Sequence, residues 1–407
     1  MFQVLFEKRS KQGRKRQSRA TRTKFGSRVG TPDTILLFLT LFFLVLGLIM
    51  IFDASVYQAD EVFSNRFHFV VQQLVWILLG LLSGAIFYSW DYRKFSKLAV
   101  PGMILTLVLL VAVLIFGDEI NGSRRWFSIA GFPIQPAELA KPVMILYLCS
   151  WLSKERKSVK DFKLAFREHL INKLLPFVLV LGIVGGLVIL EPDLGTAVVI
   201  CAISSIIYFV SGNDLVHMMG TGLLVFVGGL LGAGAAVLET YRLERFRTYF
   251  ELLFTGQVAD PRGTGYQMQQ ILLGIGSGGF WGKGFGESRQ RFGYLVENTA
   301  FTDSIFAIIL EEMGMLGGFV LIVLFLFMLY RIYKVAINAP DKLGRLLAGG
   351  IGFWLVFQAF MHMGANVGLL PLTGVPLTFF TYGGSSTIVA MVGVGMLLNV
   401  SRYCGKT

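Results

Sequence analysis

Charge is scarce in this 407-residue chain: 15% of residues are charged, and three cysteines and four histidines make up the remaining metal-ligating nitrogen and sulfur. Soluble domains carry about 25% charged residues, so a water-dissolved globule is excluded. Cys149, Cys201 and Cys404 fall at irregular spacing, which fits neither a metal site nor a disulfide framework. His68, His169, His217 and His362 are equally scattered, and only His362 falls in mid-helix, where it reads as a packed interior residue. No glycine-rich P-loop is present, which argues against a transporter carrying its own ATP-driven motor. No stretch of the basic N-terminus has the apolar core or cleavage site of a signal peptide.

Apolar sequence fills the space that charge leaves. The chain is 54% hydrophobic, with a mean hydropathy of +0.66. Ten runs are long enough to cross a bilayer, near 34–53, 69–89, 98–117, 136–152, 173–190, 195–211, 215–238, 304–330, 346–370 and 385–401. Backbone groups in lipid must be satisfied within the chain, and these runs lack the alternation of an outer-membrane barrel, so they are expected to be helices. The fold class is an all-α polytopic membrane protein: a basic tail over 1–33, then one transmembrane domain over 34–403, with a large segment at 239–303 between helices seven and eight.

The formal net charge of +12 is concentrated rather than spread. Residues 1–33 hold ten Lys and Arg against Glu7 and Asp33, and 153–173 holds seven basic residues against three acidic ones. Such clusters suit anionic lipid on the cytoplasmic leaflet rather than nucleic acid. The positive-inside rule then puts both termini in the cytoplasm. The opposite connections are chemically dense, so any chemistry is expected on the outer face.

Four outward stretches carry the candidates. In "NGSRRWF", Arg125 offers a guanidinium fork suited to phosphate oxygens, and Trp126 an aromatic face at the membrane interface. In "QPAELAKP", Glu138 and Lys141 are three residues apart on one helix face, expected to line a cavity. In "EPDLGTA", Glu191 and Asp193 bracket a proline at a tight hairpin, and Asp193 suits either a helix cap or a site role. The 239–303 segment brings Arg245, Arg247, Lys283 and Glu297, with glycines over 274–286 that suit either a phosphate cradle or a close re-entrant turn. It ends in "YLVENTAFTDSIFAIILEEMG", where Asp303 stands just ahead of an apolar run. From spacing alone Asp303 is a helix cap, a proton carrier or a catalytic base.

In order and across 34–401, these stretches, together with "GTGYQMQQILLGIGSGGFWGKGFGESRQ" and "TGVPLTFFTYGGSS", resemble the SEDS family (shape, elongation, division and sporulation), the FtsW and RodA proteins. "NGSRRWF" and "IQPAELAK" lean toward the FtsW branch. The resemblance implies ten transmembrane helices and polymerisation of lipid II, an undecaprenyl-pyrophosphate disaccharide, into glycan strands. It also implies a class b penicillin-binding protein as transpeptidase partner, among other division or elongation membrane proteins, and Asp303 as the family's essential aspartate. Val296 stands where the family commonly has proline, and two extra residues separate Glu297 from Asp303. Either Arg245 or Arg247 matches the family's arginine.

The donor sugar of lipid II is α-linked and the polymer β-linked, so one inverting displacement suffices. It needs a base for the acceptor hydroxyl, assigned to Asp303, and positive charge at the departing pyrophosphate. Arginines and lysines, or a divalent cation such as Mg or Mn, can supply that charge. A lipid II flippase is the alternative, but it would favour ionisable groups along the whole path and symmetry-related repeats, and no such repeat is evident. A purely recruiting scaffold would leave the outer arginines and Asp303 without a role.

Overall fold

The computed structural model describes residues 30–120, 123–129, 132–154, 167, 170–212, 222, 240–258, 260, 262–263, 265–292 and 300–404. The helix expected over 215–238, the basic tail up to residue 29, and Glu297 lie outside the described residues. The helices are α1 (Thr34–Phe63), α2 (His68–Ser89), α3 (Ala99–Phe116), α4 (Pro136–Leu152), α5 (Leu175–Leu190, led by a π-helical turn at Leu170–Leu174), α6 (Leu194–Ser211), α7 (Thr240–Thr255), α8 (Tyr266–Gly278), α9 (Ile305–Asn338), α10 (Lys342–Asn366) and α11 (Gly384–Ser401). Among the described residues, eight helices are long and apolar enough to cross a membrane. The 17-residue α4 runs among them. This is a multi-pass helical membrane protein.

Helix ends differ from the hydropathy windows for a definite reason. The window for α1 stops near Asp53, where lipid would end, but the helix runs on through "ASVYQADEVF" until Ser64 adopts the left-handed conformation and its N–H returns to Asp60. At 30 and 34 residues, α1 and α9 are about 45 and 51 Å long at 1.5 Å per residue, beyond the ~30 Å of hydrocarbon.

Lipid gives helices no hydrophobic reason to associate, so close contact rests on small residues and polar bonds. α2 and α11 meet over glycine: a Cβ at Gly395 would lie 2.2 Å from the Gly84 carbonyl oxygen, and one at Gly84 would lie 2.7 Å from that of Met391. α10 and α11 form the centre of the bundle, each 78% buried over its apolar window, against 28–50% for the other spans. Both chain ends meet at one end of the bundle, where the Asp33 N–H donates to Ser401 Oγ at 3.0 Å and Arg331 Nη2 to Asp33 Oδ2 at 2.6 Å.

The opposite end collects the irregular structure. A three-stranded antiparallel sheet, β1 (Asp118–Ile120), β2 (Ser123–Ile129) and β3 (Phe132–Ile134), joins α3 to α4. Beside it lie the 191–193 hairpin, α7, the start of α8, Asp303 and the 367–383 segment.

The 274–286 glycines serve a re-entrant segment. α8 descends beside α9, and the chain turns at Gly279 to dock on a break in α9 at Gly314 (φ 67°). The carbonyls of Glu311 and Glu312, freed by that break, accept from the N–H groups of Lys283 and Gly284, both at 3.0 Å. The N–H groups of Met315 and Leu316 donate to the carbonyls of Gly279 and Phe280, at 2.9 and 3.2 Å. Every group that the kink releases is thereby paired, as membrane depth requires. Gly314→Ala should lower the thermal unfolding midpoint in detergent, because its Cβ would lie 2.3 Å from the Phe280 carbonyl oxygen at a positive φ. Gly349→Ala, whose Cβ would meet nothing within 4 Å, should leave the midpoint unchanged or raise it.

Candidate active site

Asp303 sits half-buried in the turn before α9. Its backbone carbonyl accepts from Asn366 Nδ2 at 2.9 Å, and the Asn366 Oδ1 accepts from the Ala307 N–H at 3.3 Å, so α10 fixes the first turn of α9. The Tyr382 N–H donates to the Phe301 carbonyl at 3.0 Å and closes the same turn from the other side. The helix-cap reading is not realised here: α9 starts without a side-chain cap, and Ser304 occupies the capping position.

Burial pushes the Asp303 carboxyl above the usual carboxylate range, Arg245 and then Arg125 pull it back, and Asp193 adds to the rise. Those four side chains therefore share one electrostatic neighbourhood, although they come from β2, the 191–193 hairpin, α7 and the turn before α9. Asp193 does cap α6, accepting from the Thr196 N–H at 2.9 Å, while its other oxygen accepts from Gln135 Nε2 at 2.8 Å. Gln135 is in turn held by its N–H on Ser385 Oγ at 3.0 Å.

Arg125 and Arg245 reach Asp303 by different routes. Arg125 is anchored through Nε to the Glu191 carbonyl at 2.8 Å and through Nη2 to the Pro192 carbonyl at 2.6 Å. Two of its five N–H groups are thus committed to the hairpin. Trp126 follows Arg125 on β2, and Arg125 is the extra residue at the point where the β1–β2 pairing shifts register. Arg245 donates through Nη1 to the Leu372 carbonyl at 2.7 Å and lines a pocket of about 210 Å³ beside Asp303. Arg247 is exposed, two residues along the helix and therefore on another face. The structure thus chooses Arg245 over Arg247.

Glu138 and Lys141 form a buried pair, Nζ to Oε1 at 2.6 Å, and Lys141 also donates to Gln358 Oε1 at 2.8 Å. Gln358 accepts from Trp354 Nε1 at 3.0 Å and donates to the Pro376 carbonyl at 3.1 Å. Lys283 is not gathered with Asp303: it pairs with Glu311 at 2.6 Å, eight residues into α9 from Asp303 and so about 12 Å along that helix. The same Glu311 accepts from Ser288 Oγ at 2.6 Å. Arg291 pairs with Asp53 of α1 at 2.5 Å.

The residues that sequence reasoning missed are Gln358 and Asn366, which stand four residues to either side of His362, the expected packed interior histidine, along one face of α10. His362 Nδ1 donates to the Val375 carbonyl at 2.8 Å. Their signal was the i, i+4, i+8 spacing of polar side chains in an otherwise apolar span. Among the described residues, no group of three or more His, Cys, Asp or Glu could hold a metal ion. Asp303 and Asp193 are flanked by the guanidiniums of Arg125 and Arg245.

An acid under the influence of two arginines thus stands at one end of a polytopic helical membrane protein. The chain belongs to the family of cell cycle proteins comprising FtsW, RodA and SpoVE, whose model matches residues 33–406. It is 38% identical over 384 residues to stage V sporulation protein E of Bacillus subtilis, spanning 92% of this chain and 98% of that one. It is 37% identical to a probable peptidoglycan glycosyltransferase FtsW of Nitrosomonas europaea, over 90% and 92% of the two chains. Among solved structures, a chain from a peptidoglycan synthase complex that coordinates polymerisation and crosslinking matches with a TM-score of 0.72 at 29% identity, over 91% and 98%. The rod shape determining protein RodA of Thermus thermophilus matches at 0.63 and 27%, over 92% and 98%.

Glu191 is fully buried in the hairpin, and among the described residues neither carboxylate oxygen has a hydrogen-bond partner. Burial raises its carboxyl to about 8, with Asp193 adding to the rise and Arg125 opposing it. The folded state therefore holds this proton more tightly than the unfolded chain does, and stability drains away as pH rises from the ordinary carboxylate range to about 8. Glu191→Gln should unfold at a higher temperature than wild type at pH 8, and the advantage should vanish by about pH 4. Midpoints measured across that range check the sign.

Proposed function

We propose that this chain is a peptidoglycan glycosyltransferase that polymerises lipid II at the outer face of the bacterial cytoplasmic membrane, with Asp303 as general base. The observation that carries the reading is the half-buried Asp303 carboxylate under the influence of both Arg245 and Arg125. In the displacement, Asp303 takes the proton of the acceptor sugar's hydroxyl as its oxygen bonds to the donor's anomeric carbon. The bond from that carbon to pyrophosphate breaks on the opposite face, inverting α to β. The electron pair leaves with pyrophosphate, whose charge the Arg125 guanidinium offsets, while Arg245 lowers the Asp303 carboxyl on the acceptor side. Two of Arg125's N–H groups already hold the hairpin, so its remaining ones face this task.

A relative's structure in a complex that couples polymerisation to crosslinking supports a class b penicillin-binding protein as partner. Identities of 31–38% to the FtsW and SpoVE relatives, against 27% to the Thermus RodA chain, support the FtsW branch over the RodA branch.

Asp303→Asn keeps the side chain's size but cannot accept the proton, so strand synthesis should fall about 10²–10⁴-fold, with lipid II binding and thermal stability retained. Near wild-type polymerisation by that variant would remove the assignment. The base must be ionised and its carboxyl lies above the usual range, so the rate should decline as pH drops through a value above that range. Arg245→Gln removes the charge that lowers it, and the acid limb should move to higher pH. An acid limb that stays in place in Arg245→Gln would break the link between the two residues.

Orientation has its own test. With the native cysteines replaced, Gln257→Cys, at the exposed end of α7, should react with an impermeant thiol reagent on intact protoplasts. Gln12→Cys in the basic tail should be protected.

A further inference from the structure

The pocket of about 210 Å³ lies between α7, the start of α8 and the 370–372 turn. Each wall also touches the surroundings of Asp303. Arg245 of α7 acts on its carboxyl. Gln267 of α8 donates to Ser304 Oγ at 3.4 Å, next to Asp303 in the chain. Leu372 holds Arg245 and leads to Gly374, where an added Cβ would lie 3.7 Å from Asp303 Oδ2. A molecule in the pocket is therefore adjacent to the base.

The lining specifies the molecule's chemistry. Among the described lining residues Arg245 is the sole charged one, and its Nη1 is already committed to Leu372, too little positive charge for a pyrophosphate. A polyprenyl chain fits no better, because the hydroxyls of Thr248 and Tyr266 have no protein partner among the described residues, and lipid would leave them unpaired. Gln267 spends one N–H on Ser304 and keeps an amide oxygen and a second N–H. Tyr249, fixed by its hydroxyl on the Leu369 carbonyl at 3.1 Å, adds an aromatic wall. Leu252 and Met268 supply a small apolar corner, both within about 3 Å of where a Cβ at Gly368 would stand. Uncharged hydrogen-bonding groups, aromatic rings and one amide beside a methyl-sized apolar corner match an N-acetylated sugar. The volume is below the ~300 Å³ at which pockets for drug-sized ligands begin, so it suits one ring rather than a disaccharide.

We infer that this pocket is the acceptor subsite, holding the N-acetylhexosamine ring whose hydroxyl Asp303 deprotonates. Gln267 pairs with the acetamido group, and Thr248 and Tyr266 bond the ring hydroxyls. The inference rests on the reading of Asp303 as base.

The test is two-substrate kinetics on the full chain in its polymerising complex. A lipid II analogue lacking the acceptor hydroxyl, able only to donate, is held saturating while native lipid II is titrated as acceptor. Gln267→Ala and Tyr266→Phe should each raise the acceptor KM about three- to tenfold, with donor KM unchanged and kcat at saturation close to wild type. Tyr266→Phe keeps the ring and its packing, so it still reports if Gln267→Ala folds poorly. An unchanged acceptor KM in Tyr266→Phe and in a folded Gln267→Ala, or a rise in donor KM instead, overturns the subsite. Asp303→Asn in the same assay should lose kcat at unchanged acceptor KM. Retained kcat there defeats the base, whereas an unmoved acceptor KM in the pocket variants defeats only the subsite.

Discussion

A polar face on one buried helix holds the site end of this protein together. Gln358, His362 and Asn366 repeat every four residues along α10, all nearly inaccessible. Each uses its side chain to tie α10 to something that would otherwise be loose: Gln358 to Lys141 and the Pro376 carbonyl, His362 to the Val375 carbonyl, Asn366 to the Asp303 carbonyl. An unpaired polar group in this environment costs several kcal/mol, so each bond is also a constraint on its partner. The irregular 373–378 segment can lie against the bundle because these side chains complete its backbone bonding.

The same rule governs the break in α9. A glycine at positive φ releases four backbone groups at a depth where water is absent, and the re-entrant segment meets all four. The ion pairs beneath it, Lys283 with Glu311 and Arg291 with Asp53, anchor that segment to α9 and α1. Buried pairs of this kind give little net stability against an apolar replacement, but losing one partner strands a charge. They specify where the segment sits.

Around Asp303 the structure balances two acids against two arginines. Neither arginine is aimed by its own helix or strand alone. Arg125 is stapled to the 191–192 carbonyls and Arg245 to the Leu372 carbonyl. The hairpin carries a buried Glu191 whose raised carboxyl keeps it mostly neutral at pH 7, so it adds little negative charge beside Arg125. Positive charge is fixed before substrate arrives, which is the arrangement that stabilises a developing anion.

Much of this was written in the sequence by itself. Long apolar runs force helices because lipid offers backbone groups no other partner, and so the class and most spans followed from composition and length. Asp303 stands at the edge of such a run, but spacing left cap, proton carrier and base open, and the resemblance to the SEDS family pointed to the base; Arg125 stood out as an arginine on the outward side, against the charge bias. The sequence could not tell Arg245 from Arg247, since both lie on one amphipathic helix and only its packing decides which faces inward. Nor could it place Lys283, whose glycine-rich surroundings suit a phosphate loop as well as a docked turn. The kink at Gly314 exposes the carbonyls that capture that turn, and they are provided by residues 28 positions away from it. Tertiary structure decided these points because each depends on which backbone groups from distant segments were left to be satisfied.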